Sequence, residues 1–123
     1  IAFFREGSSS AAKKLDALME EGEACICGLI EAELLPGLHK KDRARVRTLM
    51  TGLPCLETAA DIWRDVDDIQ ERSLAQGFGP FSIPDLIVAA VALRHKVPLF
   101  SLDKHFLSIA RVTGLQLWEP SAE

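Results

Sequence analysis

Three carboxylates stand where strand-like segments give way to helices, the places at which open α/β sheets collect their ligands. Glu33 lies among Leu29, Ile30, Ala32, Leu34 and Leu35, just after the short apolar segment Cys25-Ile26-Cys27. A glutamate framed this closely by apolar residues is unusual without a partner. Glu31 is two residues away, and helical geometry puts it on a different face. Periodicity does not choose between the two, and a solvated surface Glu is the plain alternative for either. Asp85 follows Ser82-Ile83-Pro84 at the head of an apolar helix. Ser-x-x-Asp is also a capping box, in which the acid serves backbone donors and the helix dipole. The two roles are compatible, because a carboxylate has two oxygens. Asp103 follows the segment Val97–Phe100 through Ser101-Leu102, and its plain alternative is an N-cap.

Singly, none of these acids decides anything. Together, the three turns would gather three acids at one edge of one sheet. Packed carboxylates repel one another, and a divalent cation removes that conflict. An all-oxygen site selects Mg²⁺ or Mn²⁺ over zinc. Cys25, Cys27 and Cys55 are odd in number and lack CxxC spacing, so they read as reduced thiols of a cytoplasmic protein.

Elements must hold these acids, and the pattern along the chain supplies them. Ser8-Ser9-Ser10 offers N-caps for a helix to about Glu21, closed by Gly22. Short strands are expected at 23–27, 53–56, 97–100 and 114–118, all parallel, with helices between them. The helices are expected at 29–35, 39–50, 58–76, 83–95 and 104–110. In the long one, Ile62, Val66, Ile69 and Leu74 form the buried stripe. The helix from Ile83 to His95 is apolar nearly all round, hence buried. Trp63 and Trp118 are expected in the core.

The 123 residues fit a single domain, 1–123. The longest apolar run, Leu86 to Leu93, is far short of the ~20 residues that span a bilayer, so no membrane partner is expected. Net charge is −4. Any contact with nucleic acid must therefore come from a local patch. The run His39-Lys40-Lys41-Asp42-Arg43-Ala44-Arg45-Val46-Arg47 is such a patch, with a solvated helix face as its plain alternative. The chain opens on Ile1 inside an apolar segment and reads as cut into. A parallel sheet needs a strand ahead of its first helix, and only this short start occupies that place.

The ordered motifs resemble the PIN-domain ribonucleases of the VapC toxin type. Glu31-Ala32-Glu33-Leu34-Leu35-Pro36-Gly37 is similar to that family's second acidic motif, roughly A-E-L-x-x-G, and this resemblance picks Glu33 over Glu31. Ile83-Pro84-Asp85 with the Ala-rich run to Leu93 is similar to the third motif. Leu99-Phe100-Ser101-Leu102-Asp103-Lys104-His105-Phe106 is similar to the fourth, T-x-D-x-D-F, with Ser101 in place of Thr and His105 in place of the second Asp. Gly114 to Trp118 matches the family's last strand. The family's first motif, an Asp-Thr/Ser pair ending the first strand, falls just before Ile1, so that strand and that acid are expected to be missing.

The resemblance implies a PIN-like three-layer α/β/α fold with a short parallel sheet flanked by helices. It implies Glu33, Asp85 and Asp103 as catalytic ligands of Mg²⁺ or Mn²⁺, which activates water for attack on an RNA phosphodiester. Ser101 would orient a ligand or water. His105 would tune the site or contact phosphate, unless it is a plain exposed helix histidine. Lys40, Lys41 and Arg43 would hold the RNA backbone. A cognate VapB-type antitoxin and a homodimer are the implied partners. The alternatives are a PIN nuclease of RNA processing that is no toxin, or a degenerate domain that only binds RNA or protein. A receiver-like phosphoacceptor module needs a Lys ending a late strand, and Lys96 precedes its strand instead.

Overall fold

A computed structural model of the chain describes residues 2–4, 24–34, 36, 39–101 and 103–117. The helix expected from Ser8–Ser10 to Glu21 and the core position expected for Trp118 lie outside the described residues. The described elements are, in order, β1 (Ala2–Phe4), β2 (Ala24–Cys27), α1 (Gly28–Leu34), α2 (Lys40–Thr51), β3 (Cys55–Leu56), α3 (Ile62–Ala75), α4 (Ile83–His95), β4 (Leu99–Phe100) and α5 (His105–Thr113). The strands make one parallel sheet in the order β3-β2-β1-β4. This is the expected α/β class, a short parallel sheet flanked by helices.

Two expectations about strands are corrected. The apolar start is itself a strand, and a central one: Phe3 sits beside both Cys25 of β2 and Leu99 of β4. Three residues are too few for periodicity to mark a strand, and its place comes from its pairing on both sides. At the other end, the described part of 114–118 forms only an isolated parallel bridge, Leu117 to Leu99.

The core is built on α4. Leu86 and the run Val88–Ala92 are fully buried, and small alanines let the neighbouring elements approach closely. Beside α4 pack α3 and α5, with Phe106 and Ile109 of α5 fully enclosed. The buried face of α3 is Ile62, Val66, Ile69 and Ser73. Steps of four, three and four keep these residues on one stripe, whereas Leu74 lies a further ~100° round the helix and is half exposed. Trp63 is displaced from Ile62 by the same angle. It is 56% exposed, which overturns its assignment to the core. At the distal end of α4, Arg94 clamps α3 by donating to Asp61 Oδ1 and Asp65 Oδ2, both at 2.6 Å. The guanidinium holds the Asp61 carboxyl below its ordinary range. Among the described residues no helix is long and apolar enough to cross a membrane.

Candidate metal centre

In a parallel sheet all strands end on the same edge, and each helix that leads into a strand starts there. Asp103 follows β4 and Asp85 opens α4, so the fold brings two acids far apart in sequence to that edge. Ser82 caps α4: its Oγ accepts from the Asp85 N–H at 3.4 Å, with Pro84 in the first turn. The capping role expected of this motif is therefore carried by the Asp85 backbone, independently of what its carboxylate does. That carboxylate is enclosed. Asp85 is 5% exposed and, among the described residues, the one buried acid.

Asp103 is held by a tight local net. Its N–H donates to Ser101 Oγ at 3.1 Å, and its Oδ1 accepts from the backbone N–H of His105 at 2.9 Å. Ser101 thus shapes the turn that presents Asp103. The net points the His105 ring inward: its Nδ1 lies 3.2 Å from Asp85 Oδ2 and 3.4 Å from Asp103 Oδ1. One donor atom from each of Asp85, Asp103 and His105 lies within 4.8 Å of the other two. Two carboxylates and an imidazole converging at this spacing, one of the acids desolvated, fit a divalent cation.

Two supporting residues carry no sign of their role in the sequence. The Phe81 ring packs tilted against His105, with centroids 5.7 Å apart. Phe81 is in turn gripped by the Gln70 side chain of α3, which donates to its carbonyl and accepts its N–H, each at 2.9 Å. The loop closes onto Gln70 only because residue 79 is glycine. Its φ is +82°, and a Cβ there would meet the Phe81 nitrogen at 3.1 Å. A Gln inside an amphipathic helix eleven residues ahead of the loop gives no local signal of this grip. His105 has the pattern of an ordinary exposed helix histidine, and its side chain is indeed 60% exposed, but it bridges both acids.

Glu33 sits on α1, which springs directly from β2, and it is exposed. It stands outside the trio. Its charge is close enough to Cys27 to contribute to raising that thiol, which burial raises first and most. Glu31 is exposed as well. Lys40, Lys41 and Arg43 line the first turns of α2 with their side chains in solvent.

The chain is similar to known proteins in sequence and in fold. The pattern of the PIN domain matches residues 1–112. Ribonuclease VapC21 of Mycobacterium tuberculosis is 34% identical over 117 residues, covering 91% of this chain and 83% of that protein. Among solved structures, VapBC2 from Rickettsia felis, bound to a DNA fragment from its promoter, superposes with a TM-score of 0.71 at 15% identity, over 97% of this chain and all of that one. A toxin-antitoxin complex from Klebsiella pneumoniae superposes with a TM-score of 0.66 at 18% identity, over 85% of this chain and 88% of that one. At these identities the two structures speak for the fold alone.

Proposed function

The chain belongs to the PIN domain family, and on that premise we propose that it is a divalent-metal-dependent endoribonuclease, the toxin of a toxin–antitoxin pair, acting as a single domain in the cytoplasm. The observation that carries the reading is the convergence of Asp85, Asp103 and His105 at the carboxyl edge of the sheet, in a chain 34% identical to a named ribonuclease. Asp85 and Asp103 would hold Mg²⁺ or Mn²⁺, with Glu33 completing the catalytic set from α1. When bound, the ion supplies a Lewis acid that activates water and neutralises charge on the phosphate. The residues of the chain prepare the place. Ser101 and the His105 N–H fix Asp103, the Ser82 cap fixes the backbone of Asp85, and Phe81 limits the swing of the His105 ring. The low exposure of Asp85 keeps competing water from one side of the site.

Chelation is the direct test. Cleavage of a mixed RNA pool in Mn²⁺ or Mg²⁺ should vanish with EDTA and return with excess ion. Cleavage that survives EDTA, or a folded protein that cuts no RNA in either ion, counts against the reading and favours a domain that only binds.

Lys40, Lys41 and Arg43 are assigned to the RNA backbone on the strength of their exposure and shared helix. Replacing all three by alanine should weaken RNA binding and flatten its salt dependence, by about 0.7 in log–log slope for each phosphate no longer neutralised. An unchanged slope would return α2 to a plain solvated face. The partners of the reading are a VapB-type antitoxin and a second copy of the chain. Co-expression with VapB-type antitoxins, followed by light scattering, should yield with one of them a complex built on paired copies. A monomer indifferent to co-expression would refute both partners.

A further inference from the structure

We propose that His105 is itself a ligand of the site's divalent ion, through Nδ1, and that this nitrogen donor weights the site toward Mn²⁺ over Mg²⁺. The inference rests on the metal-centre reading above and assigns the imidazole of that trio a direct bond to the ion. It starts from spacing. An octahedral ion with bonds of about 2.1 Å sets neighbouring ligand atoms about 3 Å apart. Nδ1 stands 3.2 Å from Asp85 Oδ2 and 3.4 Å from Asp103 Oδ1, close to two adjacent edges of such a polyhedron. A ring that only donated a hydrogen bond would be expected to favour one carboxylate at about 2.7–3.2 Å. Nδ1 meets that limit with Asp85 at 3.2 Å and stands 3.4 Å from Asp103. A protonated ring could thus bond Asp85 in the metal-free protein, and the ion would take the place of that proton between the three groups.

The ring is also held for the task. Its backbone N–H donates to Asp103 Oδ1 at 2.9 Å, and the Phe81 ring packs tilted against the imidazole. Nδ1 is directed at the acids, while the side chain as a whole stays 60% exposed. A neutral imidazole with its proton on Nε2 presents the Nδ1 lone pair to the ion. Donor chemistry then sets the preference. Carboxylates serve Mg²⁺ and Mn²⁺ alike. Mg²⁺ takes oxygen ligands and keeps its waters, whereas a nitrogen donor is better accepted by a first-row transition ion, Mn²⁺ being the weakest binder of that series. An Asp at position 105 would give an all-oxygen set; the histidine makes a mixed one.

Mn²⁺ is the probe, read by pulsed electron paramagnetic resonance on the purified protein without RNA. The wild type should show ¹⁴N coupling of a directly bound imidazole, changing to ¹⁵N when histidine is isotopically labelled. In His105→Asp the coupling should vanish although His39 and His95 remain. The preference for Mn²⁺ over Mg²⁺ in competition should fall by at least about tenfold, the lower end of what disturbing a metal's surroundings costs. The labelled wild type decides the question even if that variant folds poorly. Mn²⁺ that binds, weakens in Asp85→Asn and shows no nitrogen coupling overturns the inference and leaves the metal centre standing. Mn²⁺ binding that is indifferent to Asp85→Asn overturns both.

Discussion

Asp85→Asn should abolish RNA cleavage by at least about a hundredfold while leaving the protein folded. Disturbing even an outer partner of a metal ligand costs about 10–100-fold, and Asp85 is placed at the centre itself, buried and within reach of both Asp103 and His105. The substitution is nearly isosteric, and the Ser82 cap survives it because that bond uses the Asp85 backbone N–H. Removing one of two adjacent negative charges also relieves repulsion in the metal-free protein. The metal-free variant should therefore melt at or above the wild-type temperature, the trade of stability against activity common at built sites. The two proteins should separate once the ion is added. At about a hundred times its dissociation constant Mn²⁺ stabilises the wild type by about 2.7 kcal/mol, a rise on the order of 10 °C for a domain of this size. The variant should show almost none of that rise. Calorimetry with and without Mn²⁺, beside a cleavage assay, reads both effects. A variant that still cuts RNA at the wild-type rate would remove Asp85 from the site.

Phe106→Ala should be the most damaging substitution for stability among those near the site. Among the described residues Phe106 heads the fully buried side chains by volume, and it is 1% exposed. It is the first apolar anchor of α5, one residue after His105. Truncating a buried Phe costs about 3–5 kcal/mol through lost transfer energy and the cavity left behind. Against the roughly 5–15 kcal/mol that holds a typical domain together, that is a large fraction. Urea unfolding should show a lower midpoint with an unchanged slope. Since α5 carries the N–H that fixes Asp103, the change should also weaken Mn²⁺ binding before global unfolding. A stability within about 0.5 kcal/mol of wild type, the range of a neutral surface change, would show that the anchoring of α5 carries little of the stability.

Much of the site was legible because it depends on local order. Asp85 and Asp103 each follow a readable cue, a capped apolar helix and a strand-to-helix turn, and both stand where those cues put them. The limits Ile83–His95 of α4 coincide with the expected ones, because a serine cap, an early proline and an unbroken apolar run mark them. What was missed depends on distance. β1 has only three residues and acquires its meaning from two neighbours remote in the chain. The grip of Gln70 on Phe81 and the reach of His105 to Asp85 join elements whose angles no periodicity states. Leu74 and Trp63 show a finer failure. Both are apolar residues on a helix whose buried stripe runs one position away, and hydrophobicity alone does not tell an inward residue from its neighbour.

The place of β1 has a consequence for the order in which the protein becomes itself. Phe3 pairs on one side with Cys25 of β2, and Phe3 and Phe4 pair on the other with Leu99 and Phe100. A ribosome adds about 5–20 residues per second, so one edge of the middle strand waits for seconds with its backbone groups open to other partners. The same late stretch delivers Asp103 and His105. A growing chain that has paired β1, β2 and β3 still lacks all three converging donors. Closing the sheet and assembling the centre are thus a single late event in synthesis, and shorter nascent chains carry no complete site.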